Sequence, residues 1–199
     1  DTPDSTYPTY VKCIYDVTST SEPTYILEDA THGGTNYSLQ NITDMIVDGV
    51  QTTPAISHTF ATVGKHEVLF QLRNNQFSGS PFYKVPQLWA VYVPSNITNT
   101  SASSFKSCPN LTKARFDMTL SNAITNNFID KGPHIEVVKF GPNVIGLDGA
   151  NLLCENMTSL QDIYIEGDTF TMTGTNVGGS TSNPNYTVHV KSTFDQSTI

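Results

Sequence analysis

One recurring spacing of apolar residues constrains this chain more than any other feature. Leu88, Val91 and Val93 are followed by Leu111, Ala114 and Phe116, then Ile135, Val138 and Phe140, then Leu160, Ile163 and Ile165. The first positions stand 23, 24 and 25 residues apart, and a degraded fifth copy, Asn185, Val188 and Val190, lies another 25 on. Near-equal intervals with one internal spacing predict a stack of like units, each giving a short strand and a returning segment. No unit of this size buries its apolar face alone, so neighbours must stack into a continuous core. Phe82, Phe105 and Ile129 each precede a first position by six residues, which carries the pattern upstream to about residue 82.

Within each copy the first, fourth and sixth residues face the core. The residue between the last two then points outward, because side chains alternate along a strand. Those outward residues are Tyr92, Arg115, Lys139, Tyr164 and His189. Stacked strands place them about 4.8 Å apart in one column. A neighbouring column holds Ala90, Lys113, Val137, Asp162 and Thr187. Tyr and Arg are the residue types that anchor interfaces, so the first column is the candidate binding surface. The bland alternative is an ordinary solvated sheet face.

The copies share more than three apolar positions. The run from Ser104 through Phe105, Cys108, Pro109, Asn110 and Leu111 to Phe116 resembles the BspA-type leucine-rich repeat, whose units read aromatic, two residues, Cys, two residues, Leu, then a strand. Val91 to Thr98 resembles its strand, proline and turn, and Asn156 to Ile165 matches again with Met157 in the Cys slot. Phe140 to Gly146 is a looser version. The resemblance covers about residues 82 to 190. The unit from 117 to 140 departs from it, lacking the proline and carrying Gly132 in the Cys slot. Beyond Ile165 the pattern loosens through Gly174, Gly178, Gly179 and Pro184, as a cap or a loop would.

The first 86 residues have another texture. Tyr10 to Val17 alternates with period two, as an antiparallel strand with one buried face does. Tyr25 to Leu27 reads as a short strand, and Ile42, Met45 and Val47 lead into Asp48-Gly49, a hairpin turn signal. His58, Thr59, Phe60, Gly64, Val68, Phe70 and Leu72 resemble the last hairpin of PKD-type immunoglobulin-like domains. The fold expected is therefore mainly β: an immunoglobulin-like β-sandwich over 1–86, capping a short leucine-rich repeat solenoid over 87–199.

Composition narrows the function. The formal charge is −8 with only 14% charged residues. No basic stripe of the kind phosphate binding needs is present, so nucleic acid is excluded as the expected partner. No apolar run reaches the roughly 20 residues of a membrane span. The polar start at Asp1 and the end at Phe194 to Ile199 without a closing element read as a fragment of a longer protein. Cys13, Cys108 and Cys154 are odd in number, leaving either buried free thiols or one disulfide with an odd thiol. Sequons begin at Asn36, Asn41, Asn96, Asn99, Asn110, Asn156 and Asn185. The family resemblance points to a bacterial or viral source, in which they would carry no glycans.

Chemistry finds little footing. The histidines, His32, His58, His66, His134 and His189, accompany no nucleophile motif. Cys108 and His134 are one repeat apart, with no orienting third group in view. No phosphate loop and no HExxH occur, and Asp48 and Asp148, each before a glycine, read as turns before calcium ligands. Neither cofactor nor metal is expected. The resemblance implies a secreted or cell-surface adhesin, a non-catalytic module that binds a host protein, matrix component or glycan through Tyr92, Arg115, Lys139, Tyr164 and His189. The alternatives are a structural stalk or virion segment that self-associates, and a glycan-binding part of a larger enzyme.

Overall fold

The computed structural model describes residues 6–125, 128–129, 131–148, 157–173 and 186–191. The described chain is mainly β, with only two single-turn 3-10 segments, and its units stack as a β-solenoid does. The strands are β1 Val11–Val17, β2 Thr24–Tyr25, β3 Ile42–Val47, β4 Val50–Thr52, β5 Ser57–His58, β6 Gly64–Leu72, β7 Leu88–Val93, β8 Lys113–Phe116, β9 Ile124–Thr125, β10 Val137–Phe140, β11 Gly146–Asp148, β12 Asp162–Ile165, β13 Thr171–Thr173 and β14 Thr187–Val190.

Nine of them form one sheet in the order β14-β12-β10-β8-β7-β1-β6-β3-β4. The five repeat strands run parallel, β7 beside β8, β8 beside β10, β10 beside β12 and β12 beside β14. At β7 the direction changes, because β1 joins its free edge antiparallel and pairs with β6 on the other side. The sheet therefore runs unbroken across residue 86. The seam carries an irregularity: Ile14 faces Ala90 and Tyr15 faces Leu88, leaving Trp89 as an extra residue. Such a bulge re-aims a side chain. A three-stranded parallel sheet, β9-β11-β13, runs along the returning segments of the repeats.

The repeat spacing explains the core. All twelve apolar residues of the four full copies are buried, from Leu88 to Ile165. Phe82, Phe105 and Ile129 are fully buried too. Phe82 and Phe105 stack at 5.1 Å, and Phe105 meets Phe77, Phe116 and Phe128 edge-on or tilted at 5.6, 5.5 and 5.3 Å. Each buried Phe contributes about 1.5–3 kcal/mol by leaving water. One core continues from these rings into Val11, Cys13, Tyr15 and Phe70 of the N-terminal strands. The fifth copy is different: Val188 is 37% exposed at the last strand of the sheet.

A backbone signature accompanies the period. Lys84, Ser107 and Lys131 all have φ between 52° and 59°. Each directly precedes the slot held by Val85, Cys108 and Gly132, so these three units turn through the left-handed region at the same place. Cys108 fills its slot fully buried, its thiol donating to the Phe82 carbonyl oxygen at 2.9 Å. Cys13 and Cys108 are both free thiols, while Cys154 lies outside the described residues.

The N-terminal expectations fare unevenly. The alternating segment forms β1, with every second residue buried. Asp48 and Gly49, at φ 48° and 79°, close the β3–β4 hairpin with Val47 opposite Val50. The positive φ at both central positions is what a type I′ turn requires. The strand expected over Tyr25 to Leu27 is shifted to Thr24–Tyr25. The expected hairpin from His58 to Leu72 does not form as a ladder: β5 pairs with β2, whereas β6 pairs with β1 and β3. The connection crosses from the small sheet to the large one. Aromatic packing favours that crossing, with Phe60 lying 4.7 Å from His58 and 4.5 Å from His66. The loosened stretch from Gly174 to Pro184, the sequons at Asn156 and Asn185 and the terminal tail lie outside the described residues.

Candidate functional site

The outward column is in register across the whole sheet. Tyr92 faces Arg115, Arg115 faces Lys139, Lys139 faces Tyr164 and Tyr164 faces His189. On the other side Tyr92 faces Lys12, Lys12 faces Leu69, Leu69 faces Ile46 and Ile46 faces Gln51. One row of nine residues thus crosses all nine strands. The second column, Ala90, Lys113, Val137, Asp162 and Thr187, is equally in register.

The row is not uniformly open. Ile46, Leu69 and Tyr92 of this row, with Ala90 of the second column, are buried, yet they lie outside the main core cluster. They form a thin apolar layer on the outer face, beside which Lys12 and Glu67 join at 2.6 Å. Tyr92 retains only 4% of its exposure. Its hydroxyl donates to Asp117 Oδ2 at 3.1 Å. Burial, reinforced by the Asp117 carboxylate, pushes its phenol well above the ordinary range. Tyr92 is therefore part of the structure of this face and offers a ligand almost no surface.

Arg115 is also engaged. Its Nε lies 3.0 Å from Asp117 Oδ1, and its two terminal nitrogens donate to both oxygens of Glu166 at 2.9 and 2.7 Å. Burial alone would lower the guanidinium pKa, but the bonds to Glu166 and Asp117 outweigh it and raise it. Asp117 and Glu166 follow directly after the last core residue of their copies, and Gly141 holds the same position between them. A Cβ at Gly141 would collide with the Asp117 carboxylate. The missing side chain leaves room for the Asp117 carboxylate, which in turn holds the Arg115 Nε.

The far end is aromatic. Tyr164 and His189 stack at 4.3 Å with 9° between their planes, and the Lys139 ammonium sits 4.8 Å from the Tyr164 ring centre. The flanking strands bring Lys139 and His189 to opposite faces of that ring. His189 Nε2 also lies 2.7 Å from Asp162 Oδ1. At the seam, the bulged Trp89 takes Lys65 at 4.2 Å and Lys113 at 5.5 Å from its ring centre.

Between these features lies a shallow depression of about 210 Å³, lined by Lys113, Arg115, Lys139 and Tyr164 over Val91, Ala114 and Val137. The chain matches no family model, no curated protein and no solved structure. The site must therefore be read from its own chemistry. Of ten Lys and Arg residues in a chain of net charge −8, five sit on the outer face of the sheet: Lys12, Lys65, Lys113, Arg115 and Lys139. Lys12, Lys65 and Arg115 have carboxylate partners. Lys113 and Lys139 have none among the described residues, and no carboxylate lines the depression.

Lys113 and Val137 were placed by the sequence in the second column only, and Asp117 and Glu166 were not singled out. Their signal was available in the position just after each last core residue. Among the described residues, no group of three or more His, Cys, Asp or Glu side chains is gathered as a metal site needs, and no helix is long and apolar enough to cross a membrane.

Proposed function

We propose that this chain is a non-catalytic extracellular or cell-surface binding module that presents the outer face of its sheet to a host protein, matrix component or glycan. In this reading the parallel strands are a short leucine-rich repeat array of the BspA type. The antiparallel strands before residue 86 are its immunoglobulin-like part and close the β7 edge. One observation carries the reading: two unneutralised lysines and an aromatic ring surround an open depression on an otherwise acidic chain. Surface cations without carboxylate partners steer and select oppositely charged ligands.

The test compares wild type with Lys113→Ala/Lys139→Ala in pull-down and glycan-array binding, with mass measured by light scattering. These lysines are the clean probes, because Tyr92 and Arg115 are tied into the sheet and their loss would confuse folding with binding. Binding by a monomeric wild type that the double variant loses supports the adhesin reading. A folded wild type that binds nothing and forms stable oligomers favours the second reading, a self-associating structural segment. That reading draws on Val188, left exposed on the last described strand of the sheet.

A further inference from the structure

Resting on that binding reading, we propose that the depression between β8, β10 and β12 is a subsite for a single acidic sugar ring, its carboxylate held between Lys113 and Lys139. The charge argument comes first. Among the described residues, Lys12, Lys65 and Arg115 on this face are neutralised by carboxylates, whereas Lys113 and Lys139 meet only the rings of Trp89 and Tyr164, so their charge is left for an outside anion. The nearest acidic side chain on the next strand, Asp162, is occupied by His189 at 2.7 Å.

The remaining groups select a polyhydroxylated ring over a bare acidic side chain. Arg115 uses three of its five N–H groups on Asp117 and Glu166, leaving one on each terminal nitrogen. Tyr164 has both ring faces covered, by Lys139 and His189. It therefore offers no stacking platform, but its hydroxyl has no partner among the described residues. Two N–H donors and a phenol arranged beside the outward Val137 side chain match a ring with hydroxyls at its rim and C–H groups on its face. The volume, about 210 Å³, is below the roughly 300–1,000 Å³ of drug-sized sites, which suits one ring rather than an oligosaccharide.

Nuclear magnetic resonance titration of the 199-residue chain tests this, with glucuronate and galacturonate as probes. Glucose is the neutral control and N-acetylglutamate stands for an acidic protein side chain. The expected result is saturable shifts at Lys113, Arg115, Lys139 and Tyr164 with a uronate, none with glucose, and at least about tenfold weaker binding of N-acetylglutamate. Lys113→Met and Lys139→Met should each weaken the uronate by about tenfold, and Tyr164→Phe by about fivefold. Equal affinity for N-acetylglutamate overturns the sugar assignment, because the pocket is then a plain anion site. No saturation by either uronate, or shifts elsewhere on the chain, overturns the subsite. If the array binding of the wild type persists in the double lysine variant, the subsite falls while the adhesin reading stands. If no array binding is found yet the uronate saturates this pocket, the adhesin reading falls alone.

Discussion

Arg115 holds Glu166 two strands away, through bonds of 2.9 and 2.7 Å. The pair staples β8 to β12 across β10, and Asp117 fixes the guanidinium from behind. Both side chains keep partial contact with solvent, 22% for Arg115 and 35% for Glu166, so screening discounts the pair. Arg115→Ala should cost about 1–2 kcal/mol. Gly141→Ala should cost about 1–3 kcal/mol by forcing Asp117 aside. Urea melts of the two variants and their double mutant check this. Strictly additive losses would show that the Asp117 position set by Gly141 does not serve Arg115.

Phe105 touches more rings than any other core residue described here, so it carries the stack between the two halves. Phe105→Ala should destabilise by about 3–5 kcal/mol, and Phe105→Leu by no more than about 1.5 kcal/mol. Circular dichroism melts on both variants measure the difference. A small loss in the Ala variant would mean that the neighbouring phenylalanines collapse into the space.

Ser107 stands at φ 59° in the recurring left-handed turn. A residue with a Cβ pays roughly 1–2 kcal/mol for that conformation. Ser107→Gly should therefore raise stability by about 0.5–1 kcal/mol after the added freedom of the unfolded chain is counted. Unchanged or lowered stability in chemical denaturation would show that the Ser107 side chain supports the turn.

Burial pushes the Cys108 thiol from its ordinary 9.0 up to about 12. Below pH 9 the thiol is protonated folded and unfolded, and its contribution is fully present. Between about 9 and 12 the unfolded chain releases the proton while the folded chain keeps it, so stability falls as pH rises. Folded protein at pH 8 should leave Cys13 and Cys108 unlabelled by a thiol reagent, and both should react on unfolding. Peptide mapping after labelling reads each site separately.

Much of the repeat half was legible because its information is periodic. Leu111, Ala114 and Phe116 announce their strand by comparison with Leu88, Val91 and Val93, and strand parity alone assigns Arg115 and Lys139 to one outward column. What parity does not encode is depth. Tyr92 and Tyr164 occupy equivalent positions, yet Tyr92 is closed over beside Lys12 and the antiparallel strands while Tyr164 stays only half-buried. Nor does a period of 23 to 25 residues reveal the bond from Arg115 to Glu166, which joins strands two apart through residues at different positions of their copies. The crossing after His58 was missed for a similar reason: local alternation suggests a hairpin, whereas Phe60 and His66 pack between sheets.

The seat of β1 between β6 and β7 carries a consequence for how the molecule comes into being. Val11–Val17 leaves the ribosome well before Leu88–Val93, one of its two neighbours. Until then a strand with alternate apolar residues has an unfilled edge, the kind of surface that recruits wrong partners. Closing it requires a long loop to be gathered, which slows folding more than it weakens the finished state. The repeats in turn begin from a strand whose outer edge belongs to β1. Expressed without the first 17 residues, the repeat array should therefore fold poorly and aggregate, even though every one of its own units would be intact.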